Sequence, residues 1–193
     1  FIKNEAYVLI SSLQTCYYMY KFAKKCIYSH MRYVKRRIRK CKKRNVMKKV
    51  FIDGSVGTTG LRIKERLGER SDIELILLAE EVRKNNDARK EAIESSDITF
   101  LCLPDDAARD TAEMMQGSDT VIIDTSTAHR TAEGWTYGFP ELSGGAQREL
   151  IKNSKRIANP GCHASGFIAL IAPLTEHGLI KKEANLSCFS LTG

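Results

Sequence analysis

The chain has 193 residues with 31 Lys and Arg against 23 Asp and Glu, enough length for one large domain or one and a half. Its six cysteines, at 16, 26, 41, 102, 162 and 188, make no C-x-x-C pair and no metal-type spacing, which excludes a disulfide-dense scaffold and a zinc-ribbon site. Within residues 1–46 the longest uncharged stretch, 6–20, is too short and polar to span a bilayer, and basic residues follow its apolar part where a signal peptide has them first. A reducing cytoplasm is the expected compartment.

The net charge of +8 is concentrated at one end. Residues 1–46 carry 13 Lys and Arg against the single acid Glu5, whereas 47–193 carry 18 against 22 acids. This break places a boundary at Val46–Met47. Within 21–44, Ile27, Met31, Val34, Ile38 and Cys41 recur at spacings of four and three, the pattern of a basic amphipathic helix. Two readings follow. One is an arm whose cationic face meets nucleic acid, an anionic membrane or a partner helix. The other is an extension foreign to the native protein, because the segment opens on Phe, is rich in Lys, Ile, Tyr and Phe, and ends just before Met47 and a well-formed strand. On that second reading neither nucleic acid nor membrane is an expected partner.

From Met47 the pattern becomes that of a globular α/β domain. An apolar strand over 49–53 runs through glycines 54, 57 and 60 into the helical stripe Leu61, Ile63, Leu67. Glycines there let the backbone approach a pyrophosphate, whose charge the helix N-terminus offsets. The spacing is G-x-x-G-x-x-G and not G-x-G-x-x-G, so a plain glycine turn fits the loop alone equally well. Further apolar strands are predicted over 73–80, 97–106 and 119–130, separated by stretches of helical composition. Near-continuous apolar strands alternating with helices imply a Rossmann-type, doubly wound parallel sheet. Ligands bind such sheets at the carboxyl ends of the strands, so loops 54–60, 80–83, 103–105 and 124–130 are expected to cluster. Glu80 lies where an acid holds a ribose 2′-OH, but Arg83 and Lys84 follow and suit a 2′-phosphate, which leaves NAD and NADP both open. Asp105 and Asp106 read as helix-start charges, and Cys102 and Cys188 as small buried hydrophobes in strands.

The segment "NPGCHASG" (159–166) holds Cys162 after Pro160-Gly161 and before a helical stripe of Phe167, Leu170, Ile171 and Leu174. A thiol reacts as its thiolate, which a helix N-terminus favours. A lone cysteine in apolar context is as readily structural, yet a glycine loop in the same chain supplies a reason for it to react. A thiol beside a nicotinamide suggests an acyl group held as a thioester and reduced by hydride.

Five segments, "FIDGSVGTTG", "FLCLPDD", "IDTSTAHR", "YGFPEL" and "NPGCHASG", occur in an order and spacing that resembles the shorter subfamily of the N-acetyl-gamma-glutamyl-phosphate reductases, over roughly Met47 to Gly193. Aspartate-semialdehyde dehydrogenase is similar but less so, its cysteine motif having Asn where Gly161 stands. The resemblance implies NADP(H) as cofactor and an acyl phosphate substrate, N-acetyl-gamma-glutamyl phosphate, reduced to the semialdehyde in arginine biosynthesis. It implies Cys162 as nucleophile, with Asn159 and backbone N–H groups donating to the oxyanion, and Arg130 on the substrate phosphate. Gly54, Gly57, Thr58, Thr59 and Gly60 would hold the dinucleotide phosphates. Leu103 and Pro104 would border the adenosine and Ser126 the nicotinamide. It further implies a histidine base downstream of Gly193 and a homo-oligomer at full length. The expected organisation is therefore a basic extension (1–46), an NAD(P)-binding domain (47–158) and the first helix and strand of an α+β substrate domain (159–193), a fragment expected to turn over little by itself.

Overall fold

A computed structural model describes residues 47–190; the basic helix expected over 21–44 lies outside them. Among the described residues, 47–160 form one compact unit and 161–190 belong to another.

In the first unit, β1 (Lys48–Asp53) leads into α1 (Thr58–Gly68), then β2 (Ile73–Ile76), α2 (Asn86–Glu94), β3 (Ile98–Leu101), α3 (Asp105–Met114) and β4 (Val121–Asp124). A two-residue strand β5 (Thr136–Tyr137), a tight turn at Ser143–Gly145, α4 (Ala146–Asn153) and β6 (Arg156–Ala158) complete it. The strands pair in the order β2-β1-β3-β4-β6-β5, and every pairing is parallel. This is the Rossmann-type doubly wound sheet that the alternating pattern predicts. The order reverses direction at β1, so the switch point falls between the carboxyl ends of β1 and β3.

Alternation along each strand divides the core between two faces. Val50, Ile52, Phe100, Ile123 and Ile157 pack with Leu67 of α1 and Ile151 of α4. Phe51, Leu101 and Ile122 pack with Ala92 and Ile93 of α2, Ala108 of α3 and Met115. Each fully buried Val or Ile side chain contributes about 1.5–3 kcal/mol relative to exposure, which is why these four-residue strands can be short and still persist.

Three expectations need correction. The strands stop at Ile76, Leu101 and Asp124, so residues 77–80, 102–104 and 125–130 are loops and Asp105 and Asp106 already belong to α3. Their apolar composition extends the pattern past the last ladder bond. Second, β5, α4 and β6 are elements that the sequence reading did not name. Third, Cys188 is exposed and no strand forms around it among the described residues. A strand pattern needs a neighbour to pair with, and among the described residues none pairs with it.

In the second unit, α5 (Cys162–Glu176) starts where the sequence placed it and ends at His177, with Gly178 in the left-handed region at φ +71°. Leu170 of its apolar stripe is 45 % exposed among the described residues.

Candidate functional site

Parallel pairing puts the loops after β1, β2, β3 and β4 on one edge of the sheet, as the sequence predicts for 54–60, 80–83, 103–105 and 124–130. The glycine loop is fixed there by backbone geometry. Gly54 has φ +82°, and a Cβ on it would lie 2.2 Å from the carbonyl oxygen of Cys102 at the end of β3. The Cys102 N–H donates to the Asp53 carbonyl at 2.8 Å, which holds the two strand ends this close. At Gly60 a Cβ would lie 2.3 Å from the Gly54 carbonyl oxygen, so helix and loop also touch through backbone. Gly57 meets nothing nearer than 3.6 Å; it is the N-cap of α1.

The first turns of the helices separate into two kinds. Asn85 caps α2 by accepting from the Ala88 N–H at 3.0 Å, with Asp87 alongside; α3 opens on Asp105 and Asp106, and α4 has Glu149. Only α1 and α5, among these five helices, have neither a side-chain cap nor an acid in the first turn. A helix start left with bare N–H groups and a positive dipole end favours an anion. In α1 those groups belong to Thr58, Thr59 and Gly60; in α5 the first residue is Cys162. The residues of the glycine loop thus fit a dinucleotide pyrophosphate, on close backbone approach and an uncapped helix start.

The β4 loop is braced from both sides. Asp124, with no exposed surface, accepts from the Ser126 N–H at 2.9 Å, from the Ser126 hydroxyl at 2.7 Å and from Nδ1 of His129 at 2.7 Å. On the other side, Asp105 accepts from the N–H of Thr127 at 3.0 Å and from its hydroxyl. Those bonds from Thr127, helped by Arg109 and Arg130, hold the Asp105 carboxyl below the usual carboxylate range. Arg130 donates through Nε to the Asn159 carbonyl at 3.2 Å, and its two terminal amino groups make no hydrogen bond among the described residues. That leaves a guanidinium edge with two donors for an oxyanion. The Asn159 amide donates to the Pro160 carbonyl at 3.2 Å, and the Ser126 hydroxyl is committed to Asp124, so what Ser126 presents outward is backbone.

The charged residues after β2 pair with each other, Arg83 to Glu80 at 3.0 Å, and both are accessible. Leu103 is half-buried and Pro104 exposed ahead of α3. A cleft of about 410 Å³ lies away from the glycine loop, lined by Arg109, Glu113, His129, Glu133, Trp135 and Arg156 among others.

The cysteines of the two units differ in environment. Cys102 is half-buried; burial, then the Asp53 and Asp124 charges, push its thiol up to about 11 against the opposing hydrogen bond with Thr125. At neutral pH it stays a thiol. Cys162 is exposed at the first position of α5, and its neighbour His163 bonds through Nδ1 to the Ser190 hydroxyl.

Local sequence pattern gives no role to Asp53, Arg89 or His129, and it marks Asp105 only as a helix-start charge. A signal was there. Asp53 and Asp124 each continue the inward alternation of an apolar strand, Phe51 to Asp53 and Ile122 to Asp124, and a carboxylate on an inward face requires a partner. The partner's identity is a long-range matter that local pattern does not carry.

Residues 78–153 match the semialdehyde dehydrogenase, NAD binding domain family. Over 145 residues, 75% of this chain, the chain is 48% identical to the N-acetyl-gamma-glutamyl-phosphate reductase of Trichormus variabilis, of which it covers 45%. The corresponding protein of Chelativorans sp. is 49% identical over 145 residues, with 46% of it covered. The chain thus spans less than half the length of these curated relatives. Among solved structures, aspartate semialdehyde dehydrogenase II of Vibrio cholerae complexed with ASA aligns with a TM-score of 0.52 at 19% identity, over 67% of this chain and 47% of that one. The aspartate semialdehyde dehydrogenase of Francisella tularensis aligns with a TM-score of 0.52 at 18% identity, over 68% and 42%. At such identities the likeness shows the fold alone.

Proposed function

We propose, for a chain that carries a semialdehyde dehydrogenase NAD-binding domain and whose curated homologues are N-acetyl-gamma-glutamyl-phosphate reductases, that the full-length protein reduces N-acetyl-gamma-glutamyl phosphate to the semialdehyde with NADPH, in arginine biosynthesis. The observation that carries this reading is the pair of uncapped, acid-free helix starts, one on the glycine loop and one on Cys162. Each suits an anion: the coenzyme pyrophosphate at Thr58, Thr59 and Gly60, and a thiolate or oxyanion at Cys162.

In this reading Cys162 attacks the acyl carbon, the C–O bond to phosphate breaks, and a thioester forms on the protein. The dinucleotide supplies a hydride when bound. Backbone N–H groups at the start of α5 donate to the oxygen as negative charge develops on it, and Asn159 contributes once its amide leaves the Pro160 carbonyl. The free edge of Arg130 takes the phosphate. Leu103 and Pro104 border the adenosine, and loop 125–130 bounds the nicotinamide side through its backbone at Ser126. Arg83 and Lys84 meet the 2′-phosphate once Arg83 leaves Glu80. The protein works as a cytoplasmic homo-oligomer.

The test is turnover by the full-length protein with N-acetyl-gamma-glutamyl phosphate and, in parallel, β-aspartyl phosphate, with NADPH or NADH. The expected result is NADPH oxidation with the first substrate, lost in Cys162→Ser. Faster turnover of β-aspartyl phosphate would assign the protein to the other acyl phosphate, and full activity in Cys162→Ser would remove the thioester.

A further inference from the structure

A buried ion pair lies beside the glycine loop. Asp53 is the last residue of β1, immediately before Gly54, at the switch point of the sheet. Its side chain is 5% exposed. Arg89, from the middle of α2, reaches it across the sheet face: Nε donates to Oδ2 at 3.0 Å and Nη2 to the same oxygen at 2.8 Å. Nη2 also donates to the Thr111 hydroxyl of α3, which in turn donates to the Ala107 carbonyl at 2.7 Å, and Nη1 donates to the Asn86 amide oxygen at 3.1 Å. The guanidinium is therefore held by three elements. Among the described residues no other cation bonds to Asp53, and Oδ1 of Asp53 takes no hydrogen bond.

A carboxylate in this place is a liability for a site that receives a diphosphate. It sits one residue from the backbone turn that approaches the anion, and burial leaves little water to screen it. We propose that Arg89 is a positioning residue for coenzyme binding: by neutralising Asp53 it keeps the entrance to the glycine loop free of negative charge. This deepens the function proposed above and rests on its coenzyme reading. Neither partner need touch the ligand. Arg89 acts through Asp53, and its effect depends on that carboxylate being present.

The dependence supplies the test. NADPH titrations, followed by coenzyme fluorescence, are made on the full-length protein, on Arg89→Met, on Asp53→Asn, and on the double variant, with the melting temperature of each recorded. Leaving the carboxylate without its cation is expected to raise the Kd of Arg89→Met at least about tenfold. Removing both charges should return the Kd of the double variant to within about threefold of wild type, because a buried pair replaced by neutral groups of similar size is commonly tolerated. Asp53→Asn alone should bind no more weakly than wild type. A purely structural role would leave the double variant as weak as Arg89→Met, and that result overturns the proposal. So does an Arg89→Met protein that binds like wild type. If Arg89→Met does not fold, the double variant decides: binding near wild type supports the proposal, and binding lost in a folded double variant overturns it. Failure of the wild-type protein to bind any NAD(P)H would instead overturn the coenzyme reading itself.

Discussion

Asp124 and His129 form a buried pair at the end of β4: the carboxylate accepts from Nδ1 at 2.7 Å, and the imidazole stacks on Trp135 with ring centroids 4.0 Å apart. Five residues of chain are folded back on themselves by this contact, so the loop carrying Ser126 and Arg130 has its ends fixed from within. Removing the imidazole takes one of three donors from a buried carboxylate, and a hydrogen bond to a charged group is worth about 1.5–3 kcal/mol. His129→Ala is therefore expected to lower the urea-unfolding free energy by about that amount, and a loss under about 1 kcal/mol would show the pair to be incidental.

The glycines of the loop are not equivalent. Gly54→Ala meets a carbonyl oxygen at 2.2 Å and a left-handed φ, and Gly60→Ala meets backbone at 2.3 Å. Each should cost more than about 2 kcal/mol. Gly57→Ala, with its nearest atom at 3.6 Å, should stay within about 1 kcal/mol of wild type. Thermal melts of the three variants rank them, and a Gly57 variant as unstable as the other two would contradict the backbone-contact explanation.

Alkylation should separate the cysteines. With iodoacetamide near pH 8, peptide mapping is expected to find Cys162 and Cys188, both exposed, modified well before Cys102. Cys102 should react appreciably only as the pH nears 11, where its thiol ionises. The same shift is a stability statement. Its folded value lies above the ordinary 9.0, so the contribution is complete below pH 9 and is lost as the pH rises through about 11. Cys102→Ser should flatten that alkaline decline.

On the acid side the bond from Thr127 to Asp105 governs. The Asp105 carboxyl lies below its ordinary range when folded, so the clamp is fully present above about pH 4 and fails as the pH falls through the folded value. Thr127→Val should leave the melting temperature less dependent on pH below about 4 than in wild type. An unchanged acid limb would mean that other carboxylates, such as Asp119 with its Lys155 partner, carry it.

Much of the framework was legible in the sequence. The strand from Val50 to Asp53, the glycines at 54, 57 and 60 and the apolar runs at 98–101 and 121–124 are local patterns, and a repeated alternation with helices leaves few topologies. Cys162 at a helix start was legible too, from Pro160-Gly161 and the apolar run behind it. What the sequence hid was either too short or too far apart. Strands β5 and β6 have two and three residues, less than one period of alternation on each face. The bond from Arg89 to Asp53 joins residues 36 apart, and that from Thr127 to Asp105 residues 22 apart. Asp105 is legible as a helix-start acid, but the same carboxylate also serves a second loop, a role that appears only when β3 and β4 lie side by side.

The bare first turns of α1 and α5 set folding and chemistry against each other. An aspartate placed at Thr58 or at His163 would complement the helix dipole and add about 0.3–1 kcal/mol of stability. It would also occupy with fixed negative charge the very N–H groups that the proposed function assigns to a ligand and to a reacting sulfur. Selection for robustness alone would fill both turns, as it has filled those of α2, α3 and α4 with Asp87, Asp105 and Glu149. The two turns left unfilled mark where this protein forgoes stability.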